Sequence, residues 1–241
     1  MLFADGKTYS DRILKGEDVA FSLKFVDEKS LLLINAILVK ILSRQGNIFL
    51  LETLITIIRE IVFNAFKANL KRLYFQKSGV DLNDKEKYTI LMQNFKDEYL
   101  YKLDEIEEEI TSQDNYHIQI NFKKSDNSLK ITIFNNVTII EEEYNRIKTR
   151  LEQAKKYQNL ADAYNDIYDS TEGAGLGLAL MVFLLKNSGI GVDNLLITPD
   201  NKGVTVSLNI PRQLKEESII SSVKKRLSSL PLAFVTQYWQ S

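Results

Sequence analysis

Two patterns of apolar residues alternate along this chain, and together they predict both helices and strands. Spacings of three and four residues are typical of helices, whereas alternation at every second position is typical of strands. The helical spacing predicts four helices, at Asp27–Leu42 with Asp27 as the cap, Phe49–Phe75, Glu141–Tyr164 and Leu178–Lys186. The segment Asp5–Thr8 is expected to be a flexible start, and the tail from Gln213 is expected to be one more helix.

Alternating apolar runs predict five strands, four of them joined in two hairpins. The strands are expected at Val19–Val26, Tyr116–Phe122, Leu129–Phe134, Leu195–Ile197 and Val204–Ile210. Polar, turn-forming residues at Ser125–Ser128 and Pro199–Gly203 separate the members of each hairpin. Helices and hairpins in this order predict an α+β fold, a two-layer sandwich of a mixed, mostly antiparallel sheet covered on one face by helices.

Composition and charge narrow the classes of function. The chain has 31 Lys+Arg against 32 Asp+Glu, a net charge of -1. This balance argues against a protein that coats nucleic acid, so no nucleic-acid partner is expected. There is no cysteine and one histidine, His117, which excludes thiolate and multi-histidine metal sites. No segment predicts a secretory signal or a membrane span, so a cytoplasmic protein is expected.

A polar stripe on the second predicted helix is the first candidate site. Glu60, Asn64, Lys67 and Lys71 are separated by steps of four, three and four, so they lie on one side of that helix. An amide oxygen is a hard, neutral ligand suited to Mg²⁺, the lysines suit phosphate, and Glu60 can orient or deprotonate an attacking hydroxyl. The alternative is an ordinary solvated face held by pairs of side chains one turn apart.

A glycine-rich segment is the second candidate. Residues 172–178, EGAGLGL, come just before an apolar helix, where backbone N–H groups can cradle a phosphate. It is not a Walker loop, because no Gly-Lys-Ser/Thr follows the glycines. It is not a dinucleotide fingerprint either, because no predicted strand leads directly into it. The alternative is a glycine-rich turn between two helices.

The two segments together resemble the histidine-kinase-like ATPase superfamily, which includes sensor kinases, gyrase, Hsp90 and mismatch-repair ATPases. EIVFNAFKA (60–68) resembles its N box, and EGAGLGLALMVFLLKNSG (172–189) resembles its G2 box, closest to the sensor-kinase branch. GVTVSLNIP (203–211) is similar to its closing strand. The resemblance covers roughly Phe49 to Pro211, so the chain is divided into an extension (1–46), an ATPase-like domain (47–212) and a helical tail (213–241).

The resemblance implies a Bergerat-type ATP-binding fold with ATP or ADP and Mg²⁺ as cofactors. Asn64 would coordinate Mg²⁺, Glu60 would be the general base, and Lys67 would contact phosphate. The segment from Glu141 to Thr171 would be a mobile ATP lid. The resemblance also implies that the lid hinge and the phosphate contacts are formed by Gly173, Gly175, Leu176 and Gly177. It implies that Thr205 helps to hold adenine.

The chain departs from the family where adenine is held. The family carries an Asp-x-Gly-x-Gly segment there, whereas this sequence has Asn135, Val137 and Ile139 at the Asp and Gly positions. An asparagine carbonyl can accept the same hydrogen bond without the assistance of a charge, but two β-branched residues narrow the space. Asn135 is therefore the expected adenine contact and the weak point of base recognition.

Two hypotheses about function follow. In the first, the chain is an ATP-binding, sensor-kinase-like protein that acts on or with a partner protein in signalling, with a homodimer as one option. His117 lies in a predicted strand, so any phospho-acceptor is expected on another polypeptide. In the second, it is a degenerate, non-catalytic ATPase fold that serves as a regulatory or interaction module. A changed ligand specificity of the same pocket is a third option.

Overall fold

Six α-helices, two 3₁₀ helices (Ile48–Leu50 and Val192–Asn194) and five strands have their bounds in the described part of the computed structural model. This part comprises residues 2–79, 87, 90–91, 94–95, 103–112, 115–157, 161–163, 176–212 and 214. The helices are α1 (Leu2–Lys15), α2 (Glu28–Gln45), α3 (Leu51–Ser78), α4 (Leu103–Ser112), α5 (Glu141–Lys156) and α6 (Leu176–Asn187). The strands are β1 (Val19–Leu23), β2 (Ile118–Lys124), β3 (Ser128–Asn135), β4 (Leu195–Pro199) and β5 (Val204–Pro211).

The five strands form one sheet in the order β1-β2-β3-β5-β4. All four pairings between them are antiparallel, so the sheet has no parallel pair among the described strands and is not the mixed sheet that the sequence predicts. Both predicted hairpins, β2–β3 and β4–β5, are confirmed. The register places Ile133 opposite Ile120 on one side and opposite Val206 on the other, so apolar residues of neighbouring strands share a face.

One face of this sheet is buried under helices, and the other, called the open face, carries exposed and half-buried side chains among the described residues. Residues such as Phe122 and Ile131 are buried with Leu38 of α2 and Phe66 of α3 in one apolar core. Burying each such side chain stabilises the fold by roughly 1.5 to 3 kcal/mol. The alternate positions, including Gln119, are exposed or half-buried. The predicted α+β sandwich of two layers is therefore confirmed for the described residues.

Caps at both ends of α2 explain where this helix begins and ends. Asp27 caps α2 as predicted, because its Oδ1 accepts the Ser30 N–H at 2.8 Å while the Ser30 hydroxyl accepts the Asp27 N–H at 3.0 Å. Gly46, with a φ of 74°, ends α2 in the left-handed conformation that glycine adopts most readily. The preceding strand ends at Leu23, three residues before the predicted end at Val26.

The N-terminal residues differ from the expectation of a flexible start. They form α1, which packs on α2, because Ile13 is buried and Tyr9 lies against Phe21 with ring centroids 5.7 Å apart. Strand β1 is one of the two edge strands of the sheet, and residues on both sides of the boundary predicted at residue 46 belong to the same apolar core. The tail from Gln213 lies outside the described residues, apart from Leu214.

Within the portions of the chain that are described, none of the helices combines the length and the apolar character that a membrane crossing requires.

Candidate functional site

The predicted polar stripe lies on the middle of α3. Asn64 and Lys67 are exposed, whereas Glu60 is half-buried. The Asn64 side-chain amide donates a hydrogen bond to Glu60 Oε1 at 3.1 Å. This bond uses the amide nitrogen of Asn64 and leaves its oxygen available as a ligand for a cation. Lys67 forms no hydrogen bond or ion pair with any described residue, so its ammonium is available to an anion.

The glycine-rich segment meets this stripe at Gly177. This residue lies in the first turn of α6, and a methyl group built on it would collide with the carboxylate of Glu60. Only glycine therefore allows Glu60 to lie in this position. The first N–H groups of a helix carry partial positive charge, which stabilises a carboxylate beside them. The structure thus brings together Glu60, Asn64 and Gly177 from the two predicted segments. Leu176 begins α6 and is exposed, while Gly173 and Gly175 lie outside the described residues.

The fourth member of the stripe, Lys71, has a different role. Its ammonium lies 2.6 Å from Glu143 Oε1, and Arg72 Nη2 lies 2.8 Å from Glu143 Oε2. Burial alone would raise the pKa of Glu143, but attraction by and hydrogen bonding to Lys71 and Arg72 outweigh it and lower the pKa to about 2. Glu143 is thus ionised at neutral pH and attaches the first turn of α5 to α3.

The first part of the predicted lid is a helix, α5, that packs on α6. Ala154 of α5 is buried against Ala179 and Val182 of α6. The Lys186 ammonium also donates to the carbonyl of Lys155 at 2.5 Å, at the last turn of α5. Residues 158–160 and 164–171 of the predicted lid lie outside the described residues.

Asn135 ends β3 directly against α3. Its side-chain amide donates to the backbone carbonyl of Ala65 at 3.1 Å, and the residue is only 5% exposed. Its Oδ1 is buried and has no hydrogen-bond partner among the described residues. The loop that follows is held by Arg72, whose Nη2 donates to the Thr138 carbonyl at 3.1 Å. Val137 in this loop is buried, and Ile139 is half-buried.

Thr205 and Asn135 lie on opposite faces of the sheet. It lies opposite Phe134 in the β3–β5 register, one position away from the pair Asn135–Val204. Because successive residues of a strand point to opposite faces, Thr205 lies on the open face, while Asn135 lies on the face toward the helices. The predicted contact of Thr205 with a base held by Asn135 is therefore not supported by the register.

Three further polar residues lie near these positions and were not predicted. Arg72 and Glu143 form the ion pair described above, and Asn69 of α3 is 2% exposed with both side-chain amide atoms unpaired among the described residues. A sequence signal exists only for Asn69, which interrupts the apolar side of α3 between Phe66 and Leu70. Among the described residues there is no group of three or more His, Asp and Glu side chains that could hold a metal ion alone. Asn64 therefore remains the candidate metal ligand, and a ligand's phosphates would have to complete its coordination.

The comparisons with known proteins identify a relative of this chain but no family. No family model matches the chain, and no solved structure matches it. The chain is similar to a protein of Treponema pallidum (strain Nichols) that is described as "Uncharacterized protein", with 30% identity over 178 residues. The match covers 72% of this chain and 34% of the relative, so the chain spans about a third of that protein's length.

Proposed function

We propose that this chain binds ATP as a member of the histidine-kinase-like ATPase superfamily and acts on or with a partner protein in signalling. The observation that carries the proposal is the contact between Glu60 and Gly177, because it joins the two segments on which the resemblance depends. The hydrogen bond between Glu60 and Asn64 adds the acid and the amide that the predicted magnesium–phosphate site needs. A Bergerat-type arrangement, a cytoplasmic location and the option of a homodimer belong to the same proposal.

The polar atoms present fit ATP and Mg²⁺. The free amide oxygen of Asn64 would suit Mg²⁺, and the exposed Lys67 would suit the phosphates of the nucleotide. The unpartnered Oδ1 of Asn135 can accept the amino group of adenine, since its Nδ2 is already used by Ala65. When bound, ATP would supply the transferable phosphoryl group, and Mg²⁺ would neutralise charge on its phosphates. Glu60 would orient or deprotonate the acceptor hydroxyl.

Removing the Asn64 amide tests nucleotide binding directly. Asn64→Ala is expected to weaken ATP·Mg²⁺ binding by about tenfold or more, because loss of a charge-assisted contact to the cation costs roughly 1.5 to 3 kcal/mol. Isothermal titration calorimetry of the full chain with ATP and Mg²⁺ measures the change. Asn201→Ala is the control, since Asn201 is an exposed asparagine in the β4–β5 turn. If wild type gives no heat at saturating ATP·Mg²⁺, the proposal fails.

Gly177→Ala tests whether the contact with Glu60 matters. The colliding atoms are the far end of a flexible side chain, so Glu60 is expected to move away while the fold remains stable. ATP·Mg²⁺ affinity should fall several-fold, and the melting temperature should change by less than about 3 °C. The control is the same change in a Glu60→Ala background, where no carboxylate is left to collide. An equal loss of affinity in both backgrounds would assign the effect to the backbone at residue 177 rather than to Glu60.

Phosphoryl transfer is proposed to occur to another polypeptide. His117 comes just before β2 and contacts Phe134, with ring centroids 6.4 Å apart. Its backbone N–H donates to Asn136 Oδ1 at 2.8 Å, which holds the residue at the end of the sheet. Phe134 lies on the open face, whereas Glu60 lies in the helical layer, so the sheet separates the only histidine from the proposed phosphate site. A partner's side chain is then the acceptor.

A second candidate function is a non-catalytic regulatory or interaction module. The observation that favours it is the close packing of the end of β3 on α3, where the Asn135 amide is bonded to Ala65 and Val137 is buried. The position of Thr205 on the open face, away from Asn135, also favours this second function. The same ATP·Mg²⁺ titration separates the two functions, because a module of this kind would give neither heat nor a thermal shift. Heat with a different nucleotide would indicate a changed ligand.

A further inference from the structure

Asn69 lies buried on the side of α3 that faces the sheet. It is 2% exposed and stands between Phe66 and Leu70, which are both in the apolar core. Neither its Nδ2 nor its Oδ1 has a hydrogen-bond partner among the described residues. A polar side chain buried in this way is costly, and the great majority of buried polar groups in folded proteins are paired. The side-chain amide of Asn69 therefore needs a partner that offers both a hydrogen-bond donor and a hydrogen-bond acceptor.

Asn69 and Asn135 are linked through the backbone carbonyl of Ala65. Within α3, the carbonyl of Ala65 accepts the backbone N–H of Asn69, as it does for any residue four positions later in a helix. The same carbonyl also accepts the Asn135 side-chain amide at 3.1 Å. The two asparagines thus share one acceptor atom, and three of their side-chain atoms remain unpaired: Asn69 Nδ2, Asn69 Oδ1 and Asn135 Oδ1.

These three atoms match the Hoogsteen edge and the amino group of adenine. An asparagine amide can bond to adenine with two parallel hydrogen bonds, accepting from the N6 amino group and donating to N7. The amino group has a second hydrogen, which the Oδ1 of Asn135 can accept. Guanine carries a carbonyl oxygen in place of this amino group, so it would place an acceptor against the Oδ1 of Asn135, whose orientation is fixed by the bond from its Nδ2 to Ala65.

We propose that Asn69, together with Asn135, reads the base of the bound nucleotide and selects adenine over guanine. This inference rests on the proposed nucleotide binding and adds a specificity-determining residue, Asn69, on the helix that also carries Glu60 and Asn64. The base lies against the part of α3 that directly follows Lys67. The asparagine at position 135 takes part as one of two amides, so the base is held without a carboxylate.

The experiment compares three ligands on three proteins. ATP, GTP and inorganic triphosphate, each with Mg²⁺, are titrated into wild type, Asn69→Leu and Asn47→Leu. Asn47 is also a buried asparagine, but its amide is satisfied by the carbonyl of Arg212 at 3.2 Å, toward the other end of β3. Leucine has the same number of side-chain heavy atoms and the same branching at Cγ as asparagine, so it removes the amide without opening a large cavity.

We expect Asn69→Leu to lose ATP affinity by about tenfold or more and to keep its affinity for inorganic triphosphate. The ligand-free melting temperature of Asn69→Leu should stay level or rise, because an unpaired buried amide is removed. Asn47→Leu should melt at a lower temperature than wild type and keep the preference for ATP over GTP.

Three results would overturn the inference. If Asn69→Leu binds ATP as tightly as wild type does, nucleotide binding stands but Asn69 does not read the base. If ligand-free Asn69→Leu melts as low as Asn47→Leu, its amide serves buried structural water instead. If wild type binds neither ATP nor triphosphate, the proposed function itself fails and this inference fails with it.

Discussion

Replacing Gly203 with alanine is expected to lower the free energy of unfolding by about 2 to 4 kcal/mol, because the new methyl group has no space. A Cβ at this position would collide with the carbonyl oxygen of Asn135 and approach the Asn136 Cα to 2.9 Å. Both are backbone atoms, and Asn135 is fixed by its pairing with Val204 in the sheet. The strain cannot be relieved by rotating a side chain, in contrast to the collision at Gly177.

Thermal denaturation measures this loss as a fall in melting temperature of about 5 to 15 °C for a chain of this size. Gly16→Ala is the control, since Gly16 also has a positive φ, 79°, but no atom lies within 4 Å of the position that its new methyl group would take. It should cost only about 1 kcal/mol, the usual penalty for alanine in a left-handed conformation. Equal losses at the two positions would show that the contact with Asn135 does not set the stability.

The sequence predicted local structure well because local chemistry determines it. Asp27 forms a capping box with Ser30, and both bonds lie within one helical turn. The β4–β5 turn closes through Asp200, whose side chain accepts the N–H groups of Lys202 and Gly203 at 2.7 and 2.9 Å. Helix α1 was missed, since its main evidence is the burial of Ile13 and Tyr9 against other elements rather than a cap or a turn.

The candidate site was predicted only in part. The spacing of Glu60 and Asn64 determines that they meet on one side of α3, and they do. The face on which Thr205 lies depends on the register of β5 against β3, and a shift of one residue moves every side chain to the other face. The sequence motif predicted the strand correctly, but it contains no information that fixes this register.

Contacts between side chains far apart in the chain could not be predicted from the sequence. Glu143 was interpreted only as part of a polar helix and of the predicted ATP lid, and Arg72 was not considered at all. Their contact depends on how α5 packs on α3, which neither segment encodes locally. Asn69 is an intermediate case, because a polar residue on an apolar face signals burial but does not name its neighbours.

The ion pairs of Glu143 make a stability contribution that depends on pH. Its pKa falls from an ordinary value of 4.5 to about 2 in the folded protein, so its ionised form favours the folded state. One pKa unit corresponds to about 1.4 kcal/mol, which sets an upper value of about 3 kcal/mol for this contribution. Because the folded pKa is depressed, the contribution is fully present above about pH 5 and is lost as the pH falls toward 2.

Glu143→Gln is therefore expected to destabilise the protein at pH 7 by about 2 to 3 kcal/mol and to lower the melting temperature by about 5 to 10 °C. The variant removes the counter-charge of Lys71 and Arg72, whose side chains are only 16% and 11% exposed. Glu141→Gln is the matched control, since Glu141 lies in the same first turn of α5 and is exposed. Melting curves of all three proteins from pH 7 to pH 3 give the decisive comparison. The gap between wild type and Glu143→Gln should narrow steadily below pH 5, while the gap to Glu141→Gln should stay small throughout. A gap for Glu143→Gln that persists unchanged at pH 3 would mean that shape and packing, rather than the charge of Glu143, hold α5 on α3.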